Sequence, residues 1–174
     1  VYQGSEIYGG LAGTWDYGPL GVELKNNIKR EFWRAMVYER DDVVGMDAAI
    51  LMNARVWEAS GHTEAFTDPL VECKNCHQRF RADHVGFTDD AGNIIGRNVS
   101  CPECGEEDWT EPKTFNLLVE AKLGAVEDEK QRVYLRGEIT QGVHVNFKNV
   151  LDSSRVKIPF GVAQIGKAFR NEIT

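Results

Sequence analysis

Residues 19–39 read PLGVELKNNIKREFWRAMVYE and carry the clearest helical pattern in the chain. Apolar side chains recur at every fourth position from Leu20 to Met36, and lysine and arginine side chains occupy the other faces. Pro19 suits a first helical turn, because its φ is fixed near the helical value and its missing N–H needs no partner there. The spacing therefore predicts one amphipathic helix over residues 20–39.

The segments on either side of this helix show both strand and helix patterns. A Gly-rich, aromatic stretch precedes the helix, and residues 42–53 follow it with partly alternating apolar side chains, which predicts a strand. Further along, the patterns predict a short helix or loop over 56–62, a strand over 114–119, helical spacing from Ile139 to Leu151 and a strand over 162–173.

Length and composition are those of an ordinary globular protein. The chain has 174 residues, of which 42% are hydrophobic and 27% charged, enough for one domain with a small appendage. No apolar run approaches the roughly 18 residues of a membrane span, and the first residues lack the pattern of a secretory signal. We therefore expect a cytoplasmic protein without a membrane partner.

Since the chain starts at Val1 rather than Met and stops at Thr174 within a strand-like pattern, we expect it to be part of a longer protein.

The net charge of −7 argues against nucleic-acid binding through a broadly basic surface. A role with RNA would have to depend on local basic patches or on sequence outside these residues. Most of the net negative charge lies in residues 72–111, which carry a net charge of −5 and hold all four cysteines. This shift in composition indicates an inserted module.

Two Cys-x-x-Cys pairs, separated by 24 residues, predict a metal site in that module; they are Cys73, Cys76, Cys101 and Cys104. Two such pairs give Zn²⁺ a closed tetrahedral shell, so the ion would be structural rather than catalytic. The loop between the pairs is slightly longer than the usual range of about 15 to 20 residues. Two alternatives stay open: His77 or His84 replaces one cysteine, or the four thiols are reduced and bind no metal.

Two groups of charged residues are candidates for substrate binding. On the predicted strand, Arg170 and Glu172 share a face, where an arginine can hold a phosphate through two parallel hydrogen bonds. Glu138 lies where a strand ends and a helix begins, and a carboxylate there suits an ammonium group. Simpler readings are a surface ion pair for the first group and an acidic residue complementing a helix dipole for Glu138.

The chain resembles glycyl-tRNA synthetases of the homodimeric type in six stretches. The matches run in order over nearly the whole chain and comprise SEIYGGL (5–11), DYGPLG (16–21), ASGH (59–62), FNL (115–117), GVHVNFKN (142–149) and IPFGVAQIGKAFRNE (158–172).

This resemblance implies an α+β fold with the antiparallel sheet of class II synthetases, flanked by helices and incomplete here, plus an inserted zinc-ribbon-like module. It also implies three domain segments. Residues 1–71 would form the first part of the catalytic core, with the helix and strand of motif 1, and 72–111 the zinc-binding module. Residues 112–174 would form the second part of the core, ending at the start of motif 2.

The resemblance further implies a glycine–tRNA ligase of translation, which forms glycyl-adenylate from glycine and ATP and transfers glycine to tRNA(Gly). Arg170, Asn171 and Glu172 would bind ATP together with Mg²⁺, with Arg170 and Glu172 as catalytic residues. Glu138 would bind glycine through its α-ammonium group. The stretch RFRADH (79–84) also resembles a family segment with a substrate-contacting arginine, so Arg81 would bind glycine as well, although a surface arginine on the zinc module is an equally simple reading. The implied full-length protein is a homodimer, and we expect these 174 residues alone to be inactive.

Two departures from the family pattern bear on these expectations. The segment around Glu138 reads RGEITQG where the family has RPETAQG, so glycine replaces a proline and loosens the loop. Residues 52–55 also lack the proline common in the first motif.

Two other interpretations of the chain remain. It could be a zinc-ribbon binding module without ligase activity, or an α/β domain whose polar residues are purely structural.

Overall fold

A computed structural model describes residues 1–87, 93, 99–126 and 130–172. The helices are α1 (Pro19–Trp33), α2 (Ala54–Ala59), α3 (His62–Ala65), α4 (Thr140–Val145) and α5 (Phe147–Ser153). The strands are β1 (Tyr2–Gln3), β2 (Trp15–Asp16), β3 (Val43–Gly45), β4 (Leu51–Asn53), β5 (Thr67–Glu72), β6 (Arg79–Arg81), β7 (Lys113–Asn116), β8 (Glu120–Leu123), β9 (Gln131–Leu135) and β10 (Gly161–Ala163).

The chain divides into two compact units. The first unit consists of Val1–Val56 and Glu120–Phe169, and the second of Trp57–Val119 and Arg170–Thr174. In the first unit β1 pairs antiparallel with β2, β3 pairs parallel with β10, and β4, β9 and β8 form an antiparallel sheet. In the second unit β5 lies between β6 and β7 in an antiparallel sheet. The fold is thus mixed α/β with small sheets.

The predicted amphipathic helix is confirmed. Pro19 occupies its first turn, and after Trp33 the helix continues as a π-helical segment over Arg34–Tyr38. The apolar face, however, is exposed over its whole length: Leu20 is 88% exposed, Leu24 and Ile28 are each 61% exposed, and Met36 is 36% exposed. This face therefore carries unburied apolar surface along about five turns.

The single strand predicted over residues 42–53 is wrong, because β3 and β4 belong to different sheets. Side chains help to hold the backbone between them. Gln164 accepts a hydrogen bond from the Ala48 N–H at 2.7 Å, and Arg136 donates to the Ala48 carbonyl at 2.7 Å. Both partners are distant in sequence, so the local pattern could not reveal the break.

The strand predicted over residues 162–173 is also shorter than expected. Only Gly161–Ala163 pairs in a ladder, and residues 164–169 form no strand. Arg136 satisfies polar groups there: its Nε donates to the Lys167 carbonyl at 2.7 Å, and its own carbonyl accepts from Phe169 at 2.8 Å. Arg170 forms one isolated antiparallel bridge with Leu118, whereas Ile173 lies outside the described residues.

Helical spacing from Ile139 to Leu151 is divided between α4 and α5. Asn146 separates the two helices: its N–H donates to the Val143 carbonyl at 3.2 Å, and its carbonyl accepts from Val150 at 2.9 Å. The short helix expected over 56–62 is found as α2 and α3, and the strand expected over 114–119 as β7. Among the described residues, none of the helices combines the length and hydropathy needed to cross a bilayer.

Candidate metal centre and substrate pocket

The first cysteine pair lies in the turn that joins β5 to β6. Two backbone hydrogen bonds close this turn: Cys73 N–H donates to the Gln78 carbonyl at 2.9 Å, and His77 N–H donates to the Cys73 carbonyl at 2.9 Å. His77 has φ = 59°, in the left-handed region, which directs the chain back into β6. The turn thereby presents Cys73 and Cys76 on the same side.

The second cysteine pair repeats this geometry residue for residue. Cys101 N–H donates to the Glu106 carbonyl at 2.8 Å, and Gly105 N–H donates to the Cys101 carbonyl at 2.8 Å. Gly105 has φ = 78°, the same left-handed conformation that His77 adopts in the first turn. We call these two turns the knuckles, residues 73–78 and 101–106.

The knuckles bring four sulfur atoms together as a tetrahedrally coordinated metal ion would require. All four Sγ atoms lie within 4.8 Å of one another. The Cys73–Cys104 separation is 3.6 Å and the Cys76–Cys101 separation 3.7 Å, close to the edge of about 3.8 Å that follows from Zn–S bonds of about 2.3 Å in a tetrahedron. Such a cluster could hold a metal such as zinc. In the described part of the chain, neither His77 nor His84 belongs to it.

Without a metal, the thiols differ in acidity. Hydrogen bonds from the Asn75 side chain and the Glu106 backbone lower the pKa of Cys104 to about 6. For Cys76 the backbone hydrogen bond with Gln78 lowers the pKa, but burial and the neighbouring thiols outweigh it and raise the pKa to about 12. One thiolate therefore forms readily at neutral pH, and a bound cation would supply the charge needed to deprotonate the rest.

A small aromatic core surrounds the cluster. Trp109 packs edge-on against Phe80 and Phe87, at ring-centroid distances of 5.7 and 6.5 Å, and its Nε1 donates to the Val99 carbonyl at 2.6 Å. Cys73 and Cys101 are themselves buried in this core. The core around the cluster contains few apolar side chains. Small modules with such a core often depend on a bound metal for much of their folding free energy.

A cavity of about 600 Å³ lies within the second unit. The lining residues come from the stretch between α3 and the turn after β6, from the residue after β7 and from the segment after Phe169. They are Ala65, Phe66, Thr67, Asp68, Arg79, Phe80, Arg81, His84, Leu117, Arg170 and Glu172. The structure thus brings together Arg81, Arg170 and Glu172, three of the residues singled out from the sequence. Three arginines and two carboxylates in one cavity suit a ligand that carries both phosphate and polar groups.

Arg81 is oriented by two carboxylates. Its Nε and Nη2 donate to Asp83 at 3.1 and 2.7 Å, and its Nη1 donates to Asp68 at 2.8 Å. The hydrogen bond with Arg81 lowers the pKa of Asp83, and the hydrogen bond with Asp83 raises the pKa of Arg81, with further contributions from Asp68 and Glu172. The guanidinium is therefore held in one plane at the cavity wall.

Arg170 lies against an aromatic ring. Its Cζ is 5.1 Å from the centroid of Phe66, within the range of a cation–π interaction. The next residue, Asn171, is held through its backbone, because its N–H donates to the Leu117 carbonyl at 2.8 Å. Glu172 lines the same cavity, whereas Asn171 is not among the lining residues.

Glu138 belongs to the first unit and lies in the loop between β9 and α4. Its Oε2 accepts a hydrogen bond from Gln141 Nε2 at 3.2 Å. Buried side chains hold the loop on both sides: Arg136 is only 2% exposed, and Gln164 donates to the Ile139 carbonyl at 2.9 Å. The loop is thus supported from the interior, although Gly137 leaves its backbone more conformational freedom.

Sequence reasoning missed Phe66, Asp68 and Asp83. Asp83 follows Arg81 by two residues, a spacing that could have suggested the pair. Asp68 approaches Arg81 only because Leu70 and Arg81 are opposite each other in the β5–β6 register. Nothing in the local sequence signals that Phe66 meets Arg170.

Comparison with known proteins adds an independent line of evidence. No protein-family model matches the chain. The chain is 55% identical to a glycine–tRNA ligase of Thermobifida fusca over 100% of its own length and 39% of the relative's. It is 54% identical to that of Borreliella afzelii and 56% identical to that of Treponema denticola, over 99% of this chain and 37% of each relative. The chain spans well under half the length of these relatives, and it belongs to their family, the glycine–tRNA ligases, as a homologue of the region that it matches.

Proposed function

We propose that the protein is a glycine–tRNA ligase, which activates glycine with ATP and transfers it to tRNA(Gly). The observation that carries this proposal is an identity of 53–56% to proteins of that name, extending over at least 99% of this chain. In the activation step the glycine carboxylate attacks the α-phosphorus of ATP, a P–O bond forms, and pyrophosphate leaves with the electrons of the bond that breaks. No side-chain nucleophile is needed, so the protein acts by orienting substrates and stabilising charge.

The cavity of the second unit is the proposed ATP site. Arg170 would hold the α-phosphate through paired N–H groups and stabilise the negative charge that develops there. Glu172 would bind near the adenine or the amino-acid end. Asn171, which does not line the cavity, would be the third ATP-binding residue. Mg²⁺ would accompany ATP and neutralise its phosphates. A volume of about 600 Å³ lies within the range of sites that hold ligands of drug size.

Glu138, in the first unit, would accept the α-ammonium group of glycine. Arg81, in the second unit, is proposed separately as an arginine that contacts the amino-acid substrate. The fixed plane of Arg81 between Asp68 and Asp83 supports this role, because a guanidinium that is already oriented loses less entropy on binding. Since glycine has no side chain to grip, selectivity would come from a pocket that excludes any larger group on Cα.

The metal would have a structural role. Four thiolates leave no open position for water or substrate, so a zinc ion in this cluster would fold the second unit rather than take part in the reaction. In this proposal residues 72–111 form the inserted zinc-ribbon-like module, between core segments 1–71 and 112–174 of a class II synthetase fold.

The exposed apolar face of α1 supports a homodimer in this proposal. A row of large apolar side chains that stays exposed is typical of a surface that another protein covers. A second copy of this chain would bury the face symmetrically. We propose a cytoplasmic location, where the ligase would serve translation.

The test is ATP–pyrophosphate exchange across a panel of amino acids. It compares the 174-residue chain with the full product of the gene that encodes it. We expect exchange with glycine alone, and only from the full product, because these 174 residues span well under half the length of the relatives that they match. No exchange with any amino acid from the full product would overturn the proposal. If that product still bound tRNA, the binding-module alternative would replace it.

A further inference from the structure

The ring of Phe66 forms one wall of the cavity directly against the guanidinium of Arg170. Phe66 lies between the end of α3 and the start of β5, and its ring is half-buried. The Arg170 Cζ lies 5.1 Å from the ring centroid. At that distance the negative face of an aromatic ring attracts a guanidinium.

The backbone of Phe66 also sets the position of the chain around Arg170. The Phe66 carbonyl accepts a hydrogen bond from Leu117 N–H at 2.9 Å, and the Leu117 carbonyl accepts from Asn171 N–H at 2.8 Å. Leu118 forms the bridge with Arg170 itself. The residue that supplies the ring is therefore linked, through one intermediate segment, to the backbone that supplies the arginine.

The ring of Phe66 is in turn supported by a series of aromatic side chains. His62 packs against it with ring centroids 5.0 Å apart, and Trp57 packs edge-on against His62 at 5.2 Å. Trp57 is fully buried. Because the series ends at a fully buried side chain, Phe66 is supported on the side away from the solvent.

We propose that Phe66 is a positioning residue for Arg170 in the binding of ATP. The inference rests on the proposed function, since it assigns the phosphate-binding role to Arg170. An arginine side chain has several rotatable bonds, and ordering them costs free energy when a ligand binds. A ring packed against the guanidinium restricts these rotations before the ligand binds.

The test uses Phe66→Leu, Phe66→Tyr and Phe66→Trp in the full gene product. We expect Phe66→Leu to raise the KM for ATP about 3- to 30-fold, the range that corresponds to a cation–π interaction, with the KM for glycine within about twofold of wild type. Tyrosine and tryptophan should restore the KM for ATP, because they keep the ring face. The matched control is Phe160→Leu, which removes a half-buried ring that stacks on Phe147 in the first unit.

A double-mutant cycle with Arg170→Ala separates positioning from a general structural effect. If Phe66 acts through Arg170, Phe66→Leu has little further effect on ATP binding once Arg170 is alanine. Equal effects in both backgrounds, or equal effects of the leucine and tyrosine variants, would overturn the proposal. If the wild-type protein activates no amino acid, the proposed function fails. Titration calorimetry with ATP then still measures whether Phe66→Leu weakens the binding of ATP. If the wild-type protein binds no ATP, both the proposed function and the role of Phe66 are overturned.

Discussion

Glu138 tests the glycine-binding proposal at the scale of a single residue. Replacing it with alanine removes the carboxylate assigned to the glycine ammonium, whose charged hydrogen bonds are worth about 1.5–3 kcal/mol. We therefore expect Glu138→Ala to raise the KM for glycine in the exchange reaction about 10- to 100-fold, with the KM for ATP little changed. Glu120→Ala, an exposed carboxylate of the same unit, is the control. An unchanged KM for glycine would remove Glu138 from this role.

The knuckles give a second prediction at this scale. His77 and Gly105 occupy equivalent positions, but only glycine adopts the left-handed conformation without steric cost. We expect His77→Gly to raise the free energy of unfolding of the zinc-loaded chain by up to about 1 kcal/mol, and Gly105→Ala to lower it by about 1 kcal/mol. Denaturant unfolding measures both changes. A loss of stability in His77→Gly would mean that its side chain, 3.4 Å from Glu72, contributes more than the strain costs.

Single residues differ in how far the sequence reveals them. The cysteines were found from spacing alone, because a knuckle is a local structure and two thiols within four residues must converge. Phe66 and Asp68 could not be found that way. Their partners, Arg170 and Arg81, lie 104 and 13 residues away in sequence, and the pairing depends on how β5 is aligned with its neighbours.

Helix α1 carries a prediction at the scale of the element. Its apolar face is exposed, so a charge there should disturb association and leave the helix intact. We expect Ile28→Glu in the full gene product to shift the protein from dimer to monomer, with little change in helix content. Asn26→Glu, on another face of α1, introduces the same charge and should leave the dimer in place. Sedimentation velocity and circular dichroism measure the two properties; a dimeric Ile28→Glu protein would contradict the proposed interface.

Elements with a strong local period were predicted well, and those defined by distant partners were not. Helix α1 depends on its own repeat of apolar residues, and the predicted limits were nearly correct for α1 together with its π-helical continuation to Tyr38. The strands predicted over 42–53 and 162–173 instead end where side chains of Arg136 and Gln164 take over the backbone hydrogen bonds. A partly alternating pattern contains no information about such a replacement, because the guanidinium and the amide come from elsewhere in the chain.

Metal removal is the prediction for the molecule as a whole. Chelation should lower the melting temperature by more than about 10 °C, because a structural zinc site contributes several kcal/mol to folding. The fluorescence of Trp57 and Trp109, both in the second unit, should shift toward that of exposed indole. Zn²⁺ should reverse both changes, and Mg²⁺ should not. A chelated protein with unchanged melting temperature and fluorescence would show that the four thiols alone stabilise the knuckles.

The division of the chain into two units has a consequence for how such a protein can evolve. The backbone passes from one unit to the other at 56/57, 119/120 and 169/170, so neither unit is one continuous stretch of the gene. A single recombination breakpoint at 56/57 would separate β3 from β10, its parallel partner. Two breakpoints, at 56/57 and 119/120, would move the cysteine cluster as a cassette but leave Arg170 and Glu172 behind. The cysteine cluster can therefore be inherited by another protein more easily than the complete cavity.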